Sequence, residues 1–302
     1  MNQNWQKPSS KTNWVRFYSM MTIFILTISV IGLETLRINV QKDVDQYQQQ
    51  YFSPTEKVNK QIVEPSNGIN FEKKIRPILN KTSAKVSVAV FYKKNGQLYD
   101  ISNTNQKKFP SASIIKTDFL VELLHQHRKL EAPLTANEKN ITTRMIENSD
   151  NEAATSIYNE IGSVQGLQQL FNNLGMNDSI ALTTGWALTP TTPQDQVKLL
   201  NLIFYDKGYL PTRSKKYIKY LMANVSSDQN WGISAGSKHF RLKNGWKQMS
   251  NGYWIVNSIG YLGEGNNSCT IAIMSENNST LESGETLLEK ISEQVSKELK
   301  IN

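Results

Sequence analysis

The 302-residue chain has one cysteine, Cys269, which rules out an internal disulfide and any cysteine-based metal site. Within an apolar stretch, Cys269 reads as a packed small residue and not as a nucleophile. There are only three histidines, His125, His127 and His239, which leaves little for a His-rich metal site. His125 and His127 lie two apart on an expected helix, so they do not share a face. No His-Glu-x-x-His and no carboxylate cluster stands out along the sequence, so neither metal nor cofactor is expected. The net charge is +8, yet no run of five Lys/Arg occurs and the aromatics do not interleave with basic clusters. Nucleic acid is therefore not an expected partner; a basic exterior suits an anionic cell envelope. No internal repeat is visible.

One long apolar run is present, Phe17 to Leu33, FYSMMTIFILTISVIGL. At 1.5 Å per residue it reaches roughly 25 Å, the short end of a bilayer span. Lys7, Lys11 and Arg16 precede it, and no acid occurs before Glu34. The positive-inside rule then puts residues 1–16 in the cytoplasm, makes 17–33 a transmembrane signal-anchor and exports the rest. The sequence after the run, Ile31-Gly32-Leu33-Glu34-Thr35-Leu36, lacks the small-x-small pattern of a cleavage site. No cysteine lies nearby to carry a lipid. Residues 34–70 are rich in Gln and broken by Pro54 and Pro65, which reads as a linker or stalk. The expected location is the cell membrane, single-pass, with residues 71–302 extracytoplasmic.

Residues 71–302 alternate between two periodicities. Lys85 to Tyr92 has Val86, Val88 and Val90 on one face, and Asn95-Gly96 is a hairpin signal leading to a strand near Gln97 to Ile101. Helical spacing follows from about Ser111, then over Glu152–Ile161, Val164–Leu174, Pro193–Tyr205 and Lys215–Ala223. Three further strands are expected at Phe240–Lys243, Gly252–Leu262 and Ser268–Ser275, and a last helix at about Glu282–Lys300. The class is α+β, with a mostly antiparallel sheet.

Three short elements carry the chemistry. Ser113-Ile114-Ile115-Lys116 places a hydroxyl and an amine one helical turn apart. In a first turn, free backbone N–H groups favour negative charge developing near Ser113. Lys116 must be neutral to take the serine proton, and burial or a second cation such as Lys243 would lower its pKa. Ser149-Asp150-Asn151 lies between helical stretches, where it also makes a good capping turn. Read functionally, Ser149 moves a proton to a leaving nitrogen, Asn151 holds an amide and Asp150 braces the loop. Lys243-Asn244-Gly245-Trp246 puts a cation for a carboxylate on an expected strand edge, with a glycine that allows close approach. A lysine before an Asn-Gly turn is the alternative there. His239 and Arg241 share the Lys243 strand face by alternation.

In their joint order these elements resemble the class A β-lactamase-like serine hydrolases of the penicillin-recognising superfamily. FPSASIIKTDFL, MIENSDNEAA, NWGISAG and LKNGW look like that family's segments, across residues 71–302. The resemblance implies a three-layer fold: a five-stranded antiparallel sheet flanked by helices, with a helical lobe. It implies Ser113 as the acylated nucleophile, Lys116 as base or relay, and Ser149 as proton-transfer group. It also implies Asn151, Lys243, Asn244, Gly245 and Trp246 as substrate-binding, with the N–H groups of Ser113 and Trp246 as oxyanion hole. Asn244 replaces the family's usual Thr or Ser.

One family part is missing. Efficient lactamases of this family carry a glutamate between the second and third motifs, which activates the deacylating water. Here no Glu occurs from Gly162 through Ser250, and the corresponding loop, Ala181 to Pro193, has neither acid nor base. A β-lactam or related amide or ester is the expected substrate, with slow release of the acyl group. Alternatives are a D-Ala-D-Ala-type peptidase or esterase acting on peptidoglycan-like peptides, and a non-catalytic envelope binding protein.

Overall fold

The computed structural model describes residues 69–206 and 208–301. The cytoplasmic segment 1–16, the anchor 17–33 and all but the last two residues of the 34–70 linker lie outside the described residues. Among the described residues no helix is long and apolar enough to cross a membrane.

The first helix, α1 (Phe71–Leu79), is a stretch to which periodicity assigned nothing. Asn70 caps it by accepting from Lys73 N, and Phe71, Ile75 and Leu79 bury one side at helical spacing. The hairpin of β1 (Lys85–Tyr92) and β2 (Gln97–Ser102) follows, as the Asn-Gly signal implies. A two-residue strand, β3 (Phe109–Pro110), leads into a 3₁₀ turn, Ala112–Ile115, that runs directly into α2 (Lys116–Lys129). The helical lobe continues with α3 (Ala136–Glu147), α4 (Asn151–Glu160) and α5 (Ser163–Asn173). After β4 (Pro190–Thr191) come α6 (Pro193–Phe204) and α7 (Thr212–Ala223). Thr192 and Pro193 start α6 as cap and first-turn residue.

The chain then returns to the sheet as β5 (Phe240–Gln248), β6 (Trp254–Glu264) and β7 (Asn267–Asn278), and closes with α8 (Leu281–Leu299). The five-stranded sheet has the order β2-β1-β7-β6-β5 and is antiparallel throughout. The strand β5 is longer than the sequence suggests. Asn244-Gly245 is not a turn: it sits mid-strand, paired with Ser258 and Asn257.

Alternation divides the sheet into two faces. Val86, Val88, Val90, Ile271 and Ile273 point to α1 and α8, where Leu288, Ile291 and Val295 meet them. Ala89, Ile259, Ala272 and Met274 point to the other side, against α6 and the helical lobe. Each fully buried aliphatic side chain of this kind contributes roughly 1.5–3 kcal/mol. Cys269 is fully buried within β7, and burial pushes its thiol pKa up, so it stays protonated. The result is a three-layer body in which β5 forms the sheet edge beside the lobe, with Leu242 to Gly245 buried.

Candidate active site

The nucleophile turn is clamped from two sides. The β3–β4 ribbon pairs Phe109 with Thr191 and Pro110 with Pro190, and Ser111 N donates to Thr189 O at 2.9 Å. From the sheet, Asn257 Nδ2 donates to Pro110 O at 2.9 Å and Ser111 O at 3.0 Å. Ala112 has φ 47°, a left-handed conformation that costs energy for a residue with a Cβ. Such strain persists only where the surroundings hold it, and here two clamps do. Ser113 follows at the start of the helical segment, half-buried.

The edge strand lies against this turn. A Cβ at Gly245 would fall 2.6 Å from Ser113 N and 2.7 Å from Ile114 N. Only glycine permits β5 to approach so closely. Trp246 is next along the strand, with its ring edge-on to Trp231 at 5.6 Å.

Lys116 heads α2 with a fully buried side chain. Its Nζ donates to Ser149 O at 2.6 Å and Asn151 Oδ1 at 2.8 Å, and lies 3.1 Å from Ser149 Oγ. Lys243, also buried, donates from Nζ to Ser149 Oγ at 3.0 Å and to Asn244 O at 3.0 Å. Two acceptors, Ser149 O and Asn151 Oδ1, satisfy the two N–H groups of a neutral Lys116. Ser149 Oγ lies between the two amines, within hydrogen-bond distance of Lys116 Nζ and accepting from Lys243. The three groups form one proton path, Lys243–Ser149–Lys116. Among the described residues no hydrogen bond joins Lys116 Nζ to Ser113 Oγ; such contacts often tighten only when substrate is present.

Burial lowers the Lys116 pKa to about 8, with Asp150 pulling weakly the other way. Burial, then the neighbouring Lys116, push Lys243 well below the ordinary lysine range. Asp118, in the first turn of α2, is fully buried, and burial pushes its carboxyl well above the usual range.

Ser149 occupies a left-handed backbone position, φ 56°, in the turn between α3 and α4. Asp150 is both cap and brace. Its side chain accepts from Glu152 N and Ala153 N, and pairs with Arg144 at 3.0 Å. The bond from Ala153, more than any other contact, holds its carboxyl below the usual range. Asn244 turns away from this cluster: Nδ2 donates to Gln229 O at 2.8 Å and Trp231 O at 3.0 Å, and the side chain is fully buried. Arg241 lines a separate pocket of about 340 Å³ with Lys219, His239, Phe204 and Tyr261.

Two features escaped the reading of the sequence. Asn257, which ties the nucleophile turn to the sheet, lies in an ordinary strand sequence with no motif signal. Trp186, from the acid-free loop, comes within 5.2 Å of Lys116 Nζ, ring centroid to nitrogen. A third feature corrects the expectation of no carboxylate cluster. His127, Glu138 and Glu160, from three different helices, bring ligand atoms within 4.8 Å of one another. His127 Nε2 pairs there with Glu138 Oε1 at 2.7 Å.

A buried lysine pair bridged by a serine, beside a serine at a helix start and against a glycine-bearing edge strand, together with this three-layer fold, places the chain in the β-lactamase-like serine hydrolase superfamily. The Beta-lactamase enzyme family matches residues 127–299, and the chain belongs to it. A class A beta-lactamase of Bacteroides cellulosilyticus superimposes with a TM-score of 0.67 at 18% identity, over 78% of this chain and 99% of that one. TLA-1 extended-spectrum beta-lactamase gives 0.68 at 18%, over 77% and 99%. PBP-A gives 0.64 at 19%, over 76% and 95%. At these identities the likeness concerns the fold. The proteins named Putative lipoprotein LppW in Mycobacterium tuberculosis and Mycobacterium bovis are 24% identical over 189 residues. The match spans 60% of this chain and 60% of the length of those relatives.

Proposed function

We propose that this protein is a membrane-anchored, extracytoplasmic serine hydrolase that is acylated on Ser113 by β-lactams or related amides and esters, and releases the acyl group slowly. The observation that carries this reading is the hydrogen-bonded path Lys243–Ser149–Lys116, set beside a nucleophile turn that touches Gly245. In the first step Ser113 Oγ attacks the carbonyl carbon and its proton passes to neutral Lys116. The N–H groups of Ser113 and Trp246 stabilise the oxyanion. As the C–N bond breaks, Ser149 hands a proton to the leaving nitrogen and is resupplied by Lys116. Lys243 attracts the substrate carboxylate, and Asn151 offers its amide to the substrate amide. Asn244, with its side chain committed to residues 229 and 231, serves by fixing the strand that carries Lys243.

Slow release follows from the loop 181–193, which supplies no general base for water. A second reading is a peptidase or esterase acting on cell-wall peptides. Outward location is supported by the basic-flanked apolar run at 17–33 and by the relatives named as lipoproteins. The test is to measure labelling and release separately with a chromogenic cephalosporin. Fast labelling with slow release is expected; rapid turnover would show that another group activates water. Release of D-Ala from a stem peptide would select the second reading. A Ser113→Ala strain with unimpaired cell-envelope function would select a non-catalytic binding role.

A further inference from the structure

Acylation as derived above makes no use of Trp186, yet this residue is built into the site. Its 3₁₀ turn, Trp186–Leu188, packs against the Ala112–Ile115 turn that carries Ser113. The indole stands edge-on to Phe119 at 5.8 Å and 85°, and Nε1 donates to Thr155 Oγ1 at 3.3 Å. Phe119 is one helical turn beyond Lys116, and Thr155 is one turn beyond Asn151. The ring is thus held by the two helices that present the amine and the amide. Among the described residues the polar partners of Lys116 Nζ are Ser149 and Asn151; on the Trp186 side it meets the aromatic face, 5.2 Å to the centroid.

Hydrolysis of an ester on Ser113 needs a water that touches both the acyl carbon and a base. The water oxygen bonds to that carbon, and a water proton goes to Lys116 Nζ. The bond from carbon to Ser113 Oγ then breaks, Oγ recovers a proton from Lys116, and the free acid leaves. With no acid or base in the loop, Lys116 is the base this step can use. We propose that Trp186 determines the fate of the ester, covering the loop side of Lys116 and denying water the position from which Lys116 could activate it. This inference rests on the acylation reading above and deepens it. An aromatic face favours an ammonium over a neutral amine, so removing the ring is expected to lower the pH at which Lys116 titrates. The charged groups facing Lys116 are Lys243 from β5 and Asp150 from the α3–α4 turn.

The test uses the full-length chain, benzylpenicillin and intact-mass readout, comparing wild type with Trp186→Ala, Trp186→Leu and Trp186→Phe. In Trp186→Ala the lifetime of the Ser113 ester is expected to fall by at least about tenfold, the order a newly admitted water and base supply. Trp186→Phe, which keeps an aromatic cover and the Phe119 contact, should stay near wild type. In Trp186→Leu, which keeps bulk, the lifetime should fall less than in Trp186→Ala. Its pH profile for acylation should nevertheless move to lower pH, a shift that loop packing alone would not cause. If Trp186→Ala does not fold, Leu and Phe carry the comparison. An ester of unchanged lifetime in the Ala variant, or in the Leu variant an unchanged lifetime and an unmoved pH profile, overturns this inference alone. No ester in any protein overturns the acylation reading and this inference with it.

Discussion

The rate of acylation should follow the ionisation of Lys116. Its amine is fully buried, and the cost of burying charge brings its pKa to about 8. At pH 7 such an amine is neutral in roughly one molecule in ten; at an ordinary lysine pKa the fraction is about one in 3,000. Burial therefore raises the amount of usable base about 300-fold at neutral pH. Acylation by benzylpenicillin, followed by quenched-flow mass measurement from pH 5.5 to 9.5, should rise with unit slope and bend near pH 8. Between pH 7 and 9 the gain should be about tenfold. Lys243 shares the path and is itself pushed down, so the two titrate as a pair and the curve belongs to both. A substrate carboxylate arriving beside Lys243 favours its charged form, so binding and titration are linked. Lys116→Arg keeps the positive charge but cannot deprotonate, and should lose at least about a hundredfold. A flat pH profile, a bend near the free-lysine value, or an active Lys116→Arg variant would refute the assignment of Lys116 as base.

Other consequences follow from the same geometry. Gly245→Ala puts a Cβ against the backbone nitrogens of Ser113 and Ile114, so the strand must retreat. Acylation should fall by about 10²–10³ while the fold survives by circular dichroism, as when an oxyanion donor is lost. Asn257→Ala strips donors from the carbonyls of Pro110 and Ser111 and an acceptor from Ser275 N. It should cost about 2–3 kcal/mol, read as a melting temperature lower by roughly 5–10 °C. Glu138 closes the capping box of α3 and pairs with His127, and its carboxyl is lowered to about 2, hydrogen bonding outweighing burial. Its contribution is thus fully present above its unfolded value near 4.5 and fades as pH falls toward 2. Glu138→Gln should therefore be less stable than wild type at pH 7 in denaturant titrations, with the difference closing in acid.

The legible parts of this fold are those with local signatures. The alternating valines of β1, the Asn-Gly turn after it, the Thr-Pro start of α6 and the apolar stripe of α8 all stand in the sequence and all appear in the structure. The three motifs are legible too, because their residues are contiguous, and the structure brings Lys116, Ser149, Asn151 and Lys243 together. What sequence cannot show is a contact made across chain distance without a pattern. The β3–β4 ribbon is two residues long on each side, too short for any period to register. Asn257 reaches the nucleophile turn across 146 positions of chain. The loop 181–193 holds no acid or base, and Trp186 is neither; its bearing on Lys116 exists only once the loop packs against the Ala112–Ile115 turn. The Asn-Gly pair at 244–245 left a turn as the alternative to the expected strand edge. Local preference favours a turn there, but pairing with Ser258 and Asn257 keeps it extended. His127, Glu138 and Glu160 are widely spaced in sequence and meet only because three helix ends converge.

The most direct measurement is intact mass followed by peptide mapping of the full-length protein after exposure to benzylpenicillin, with Ser113→Ala alongside. A single adduct of the drug's mass on the peptide bearing residue 113, decaying slowly and missing from the alanine variant, is the predicted result. A wild-type protein that stays unlabelled, or an alanine variant that labels equally well, would contradict it.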